Sequence, residues 1–188
     1  MTTPAIDLSF PHRWVAEILP ARPVILPARH FVYPRDAEEV ERGALEVLVR
    51  PDVDGVQPFL ATCALGFRDP IVPTGIWATP RSNEICAVSG GYAYIIDTAA
   101  PERFTMIPYR PVLHLRAVPG EELLLFVGHH AILAWSATGE AWQSEKLSDE
   151  GVTITNVESG VLRGMGWKMM TDREEPFALD LRTGQNLV

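Results

Sequence analysis

A chain of 188 residues, 47% hydrophobic and 21% charged, has the usage of one ordinary globular domain and is long enough to bury a core without a disulfide or metal. Its formal charge of −8, with no basic run, argues against a nucleic-acid backbone as partner, because that contact needs a Lys/Arg footprint. The apolar stretches, LLLFV among them, fall far short of the ~20 residues that span a bilayer, so no membrane partner is expected.

In chain order, MTTPAIDLSFPHRWVAEILP comes first. It carries Asp7 and Glu17 and lacks the apolar core of an export signal, so the expected location is cytoplasmic. Within it, SFPHRWVAEIL reads as a short helix, with Ser9 as N-cap and Trp14, Ile18 and Leu19 on one face. PARPVILPARH follows and offers Val24-Ile25-Leu26 between prolines as a lone strand. Residues 1–29 therefore read as an N-terminal extension of helix plus closing strand, ahead of a repeat domain over 30–188.

The repeat is aligned on glycine. Gly43 opens GALEVLVR, Gly90 opens GGYAYIID and Gly128 opens GHHAILAW; each run ends at Arg50, Asp97 or Trp135 and enters a turn. A looser copy starts at Gly164 and Gly166 and runs through GMGWKMMTDREEPFALD, in which TDREEP reads as an insertion between two strands. Before the glycines, GIWATPRSNEICAV, LHLRAVPGEELLLFV and ITNVESGVLRGMG each show strand, turn, strand; HFVYPRDAEEVERG is a degraded first version with Pro34 in the turn. Apolar and β-branched runs bounded by Gly, Pro, Asn or Asp are strands, and glycine suits the turns because it tolerates positive φ. Each unit thus reads as four strands. Units of about 40 residues repeated along a chain are the signature of propeller blades.

The last unit carries Ala178-x-Asp180-x-x-Thr183-Gly184, which resembles the repeat motif of quinoprotein-type and WD40-like β-propellers. The resemblance implies that Asp and Thr-Gly brace neighbouring blades and that a Trp docks between them. Trp142 stands near that place after Thr138-Gly139. Trp135 replaces the Asp in the preceding copy, and Val188 stands where a Trp would end the last one. The motif is structural and implies no cofactor. The expected fold is all-β: a small propeller-like ring of about four four-stranded blades with a short N-terminal helix, the Val24–Leu26 strand closing the last blade beside Phe177–Leu181. An open half-ring completed by a second copy, and an ordinary sandwich, fit the same spacing.

Cys63 and Cys86 lie in apolar runs, ATCAL and EICAV, and read as buried reduced thiols; no CxxC or Cys/His metal spacing exists, and no metal is expected. There is no GxSxG turn, Walker loop or HExxH. The candidate ligand-binding residues are His114, Arg116, His129, His130, Trp167 and Asp172. His114 and Arg116 alternate on one face of a strand, where a propeller lines its channel, and suit a carboxylate or other anion; a satisfied polar pair is the plainer reading. His129-His130 sits in a hairpin turn as a ligand pair or as polar filler. Asp172 begins a charged loop tip, and Trp167 beside it is the tryptophan most suited to exposure, whereas Trp77, Trp135 and Trp142 read as packing. Arg81 reads as a member of a local ion pair.

The expected function is a non-catalytic binding module holding a protein or small ligand at its rim, one form of which is an immunity-type inhibitor of a basic toxin, which acidic charge would capture quickly. The alternative is a hydrolase or lyase using His114 and Arg116 in the central channel.

Overall fold

The computed structural model describes residues 3–35 and 42–187. The described residues form sixteen β-strands in four sheets, none of them closed, with a three-residue 3-10 turn at Pro119–Glu121. The fold is all-β. The chain divides into two compact units, Met1–Pro111 and Val112–Val188.

In the first unit, strands β1 (Ala5–Asp7), β6 (Gly75–Ala78), β7 (Glu84–Ser89), β8 (Tyr92–Asp97) and β9 (Phe104–Met106) lie side by side in that order. β6 to β9 form an antiparallel meander, and β1 adds to β6 in parallel. Gly90 and Gly91, both at positive φ, make the two-residue turn between the paired Ser89 and Tyr92, as the glycine alignment requires. Gly75 admits β1: a Cβ there would lie 2.0 Å from the Ala5 carbonyl oxygen. β7 is buried along its whole length, so this sheet is covered on both faces.

The other sheet of this unit runs β2 (Trp14–Leu19), β4 (Ala44–Pro51), β5 (Phe59–Ala64), β3 (His30–Tyr33). Here the structure corrects three expectations. Residues 14–19 are a strand, not a helix: WVAEIL pairs in full register with β4, and Val15 and Glu17 are exposed while Trp14 is buried. Ser9 caps no helix, since its N–H and hydroxyl both donate to Asp7 Oδ1. The first copy of the repeat is also rearranged. His30–Tyr33 pairs in parallel with β5 rather than folding back through Gly43; the middle of HFVYPRDAEEVERG, residues 36–41, lies outside the described residues.

In the second unit, β10 (His114–Val118), β11 (Leu123–Val127), β12 (Ile132–Ser136) and β13 (Gly139–Gln143) form one antiparallel meander, and β14 (Val152–Glu158), β15 (Val161–Lys168) and β16 (Arg173–Asp180) another. One core joins them, with Leu125, Val127 and Ile132 against Leu162, Phe177 and Leu179. Two readings of the last copy change. Gly164 and Gly166 lie inside β15, not in a turn, because neighbouring chain comes too close for any side chain: a Cβ on Gly166 would sit 2.2 Å from the Leu147 carbonyl oxygen. TDREEP is no insertion, for Asp172 takes positive φ in the hairpin turn and Arg173–Pro176 already belong to β16.

The closing strand is absent too. Val24–Leu26 lies in no strand, with Val24 and Ile25 fully or almost fully exposed. β16 is met instead by its own continuation: Leu187 N–H donates to Ala178 O at 2.8 Å, and Asp180 N–H to Gln185 O at 2.9 Å. A local return closes a short loop, which costs less chain entropy than recruiting a segment from the far end of the sequence. That return is built by the resemblance motif. Asp180 Oδ1 accepts from the N–H of Arg182 and Thr183 and from the Thr183 hydroxyl, and Gly184, at positive φ, donates its N–H to Asp180 O. These bonds, Thr183's first, hold the Asp180 carboxyl below the usual carboxylate range.

Trp142 completes the arrangement. Its indole N–H donates to Leu181 O at 2.7 Å, and its ring fills the space above Gly184, where a Cβ would lie 2.4 Å from a ring carbon. Trp14 acts alike in the first unit: it lies on an edge strand of its sheet and donates to Glu84 O of the other sheet at 3.0 Å. Both indoles are buried and hydrogen-bonded, so each ties two sheets together without leaving a polar atom unsatisfied.

Cys63 and Cys86 are fully buried and unbonded, and burial pushes both thiols above their ordinary value. Neither is expected to react with a thiol reagent such as DTNB in native buffer, and both should titrate after unfolding; rapid native labelling of either would contradict this burial. Among the described residues no helix is long and apolar enough to cross a membrane.

Candidate functional site

The meander of the first unit brings two turns to one end of its sheet. The β6–β7 turn carries Arg81 and Asn83, and the β8–β9 turn carries Glu102 and Arg103. Thr98 ties them, its N–H and its hydroxyl each donating to Asn83 O at 2.8 Å. Asp97, at the end of β8, shapes the second turn by accepting the N–H of Ala99 and Ala100 on Oδ1. Arg35, just past β3, reaches the same place and donates to Glu102 O at 2.5 Å, while the buried Tyr33 donates to Pro101 O at 2.6 Å. Burial raises the Tyr33 phenol above its ordinary value, so it stays a neutral donor.

Between these groups lies a cleft of about 910 Å³. Arg35, Arg81 and Arg103 stand around it with Glu84, Asp97 and Glu102, and Ile95 and Phe104 supply apolar wall. Two arginines hold carboxylates: Arg81 to Glu84 at 3.1 Å and Arg103 to Asp97 at 2.6 Å. Their side chains are 50% and 70% exposed, which decides what those pairs do. The carboxylates beneath them are only 10% and 12% exposed, so each arginine stays with its partner while its remaining N–H groups, on the solvent side, can meet a ligand. A guanidinium fork accepts a carboxylate or phosphate on two parallel N–H groups. The cleft is thus equipped to receive an anionic group and to hold the rest of a ligand against Phe104.

The six residues singled out from sequence all lie in the second unit, and none of them lines this cleft. The structure gathers most of them at one end of that unit. His129 and His130 occupy the β11–β12 turn, exposed, with ring centroids 6.1 Å apart. His130 O accepts the N–H of Leu147 and Ser148, and His130 Nδ1 lies 3.1 Å from Ser148 O. Ser148 Oγ and Asp149 N–H in turn donate to Trp167 O, so one short loop joins the histidine turn to Trp167. Trp167 is half-buried; Asp172 is exposed in the adjoining β15–β16 turn beside Met169 and Met170. His114 starts β10 opposite Val127, at the same end, and Arg116 lies two residues further along the strand. Partial burial, and then the Arg116 charge, lower the His114 pKa. Among the described residues no three His, Cys, Asp or Glu side chains are grouped to hold a metal. Trp77, Trp135 and Trp142 are buried, in keeping with their reading as packing.

The sequence does not single out Arg35, Asn83, Glu84, Asp97, Glu102 or Arg103 as site residues, and it gives Arg81 only as half of an ion pair. A signal was present: in a four-stranded unit the first and third turns meet at one end, and both RSNE and PER carry charge. Arg35 had no such signal, since β3 reaches its place by a parallel pairing that no hairpin announces.

No protein-family model and no curated protein matches this chain.

Proposed function

We propose that this protein is a non-catalytic binding module of propeller type. Its four sheets would be the blades of one small ring, and the arginine cleft would take the carboxylate or phosphate group of a small ligand or a protein partner. Three features support the ring: the recurring meanders, the Asp-x-x-Thr-Gly return, and the indole ties from edge strands. The observation that carries the function is the cleft itself, where Arg81 and Arg103, each anchored on a largely buried carboxylate, present exposed guanidinium groups beside an apolar wall. A catalytic channel built on His114 and Arg116 has less support, because neither residue lines the cleft.

The test is calorimetric titration with inorganic phosphate and with citrate. The protein should bind one or both saturably, and Arg81→Ala with Arg103→Ala should weaken binding about tenfold or more; the variant should also melt lower, because Glu84 and Asp97 are left largely buried without a cation, so both proteins are titrated well below that melting temperature. Absence of saturable binding, or equal binding by the double variant, would sink this reading.

A further inference from the structure

A second site, unrelated to the arginine cleft, lies at the other sheet of the first unit. Glu46 points from the middle of β4 and its side chain is only 6% exposed. Above it is a pocket of about 300 Å³ whose remaining walls are Leu19, Pro20, Ala21, Arg22, Gly43 and Ala44. Apart from Arg22 and Glu46, every wall is small or apolar.

The two carboxylate oxygens have different neighbours. Oε2 accepts the hydroxyl of Thr62, which is fully buried, at 2.5 Å. The Thr62 proton is thereby committed, so His30 Nε2, 2.8 Å from Thr62 Oγ1, carries a hydrogen and donates it. This chain from His30 through Thr62 fixes how the carboxylate is turned. Oε1 faces Arg22, whose Nε lies 2.8 Å away.

Arg22 is a loosely held occupant. It lies in an irregular segment between β2 and β3, and its side chain is 41% exposed. The segment that carries it has little packing beyond this contact: Val24 and Ile25, close by in sequence, are 102% and 87% exposed. It engages Glu46 through Nε, not through the terminal fork that makes the strongest carboxylate contact. A carboxylate buried to this degree is strongly unfavourable without a cation. A fixed anion at the base of an apolar-walled pocket, covered by a side chain on an unpacked loop, is the arrangement of a cation site with a tethered occupant.

We propose that the Glu46 pocket binds an organic cation, a guanidinium or primary ammonium group on a short alkyl chain, in place of Arg22. The cation would pair with Oε1 and lay its alkyl part against Leu19 and Ala44, while Arg22 moves into solvent with its loop.

The probe is n-propylguanidinium, with tetramethylammonium, which has no N–H, as the control. Saturable binding of propylguanidinium to the unaltered protein is expected, with shifts of the backbone amide resonances of Gly43 to Glu46 and Thr62. Arg22→Ala should tighten it about tenfold or more by removing the competitor, and Glu46→Gln, which keeps an acceptor for Thr62, should abolish it. Binding to Arg22→Ala but not to the unaltered protein would make Arg22 a structural partner and overturn the proposal. So would amide shifts elsewhere in the unaltered protein, a reading that holds even if Glu46→Gln fails to fold, or equal binding of tetramethylammonium.

Discussion

Trp142→Ala is expected to destabilise the protein by about 3–5 kcal/mol, the range for removing a buried aromatic side chain from a packed core. The indole is buried where two sheets of the second unit meet, and Leu181 O would lose its N–H donor as well. Equilibrium denaturation in urea measures the loss, which corresponds to a fall in melting temperature on the order of 10 °C for a chain of this size. Trp142→Phe separates the two contributions: it keeps much of the ring and removes the donor, so it should lose less than the alanine variant. Trp167→Ala, at a half-buried position, should cost less than Trp142→Ala. If Trp142→Ala were as stable as the unaltered protein, the indole would not be the brace described here.

Gly166→Ala carries the other large effect. A methyl group there meets Leu147 O at 2.2 Å and the Ser148 Cβ at 3.1 Å, and the first of these is backbone that no rotamer change can move. β15 would have to part from the loop that supplies the Asp149 N–H and Ser148 hydroxyl bonds to Trp167 O. A loss of about 3 kcal/mol is expected, at the upper end for overpacking. Gly120→Ala is the control: it has open space around it and no positive φ, so it should be neutral or slightly stabilising. Equal stability of the two variants would place β15 away from that loop.

These two residues show what was legible in the sequence. Strands β6 to β8 and β10 to β12 are readable, because apolar runs bounded by turn residues have few other solutions, and Gly90-Gly91 marks its hairpin. Trp142 was readable from its spacing after Thr-Gly. Gly166 was not: a glycine required by close approach of another chain segment has the same letter as one required by positive φ. WVAEIL was short enough to satisfy a helix or a strand, and its pairing with β4, distant in sequence, decided the outcome. The first sheet's order, with β2 and β3 on opposite edges, follows from long-range pairing and left no local mark. The arginine cleft was half legible. Its two turns could be placed at one end of a unit, but their meeting with Arg35 depends on that same unmarked order.

The proposed ring, in which the four sheets would surround one axis, is tested most directly by pulsed electron–electron resonance. Spin labels go on cysteines introduced at Val15 and Ala141, or at Val15 and Gln185, all exposed edge positions; the native Cys63 and Cys86 are buried and should stay unlabelled. A ring makes the last sheet a neighbour of the first and sets the third across from it, so the Val15–Gln185 distance should be the shorter of the two. A Val15–Gln185 distance longer than Val15–Ala141 would contradict the ring.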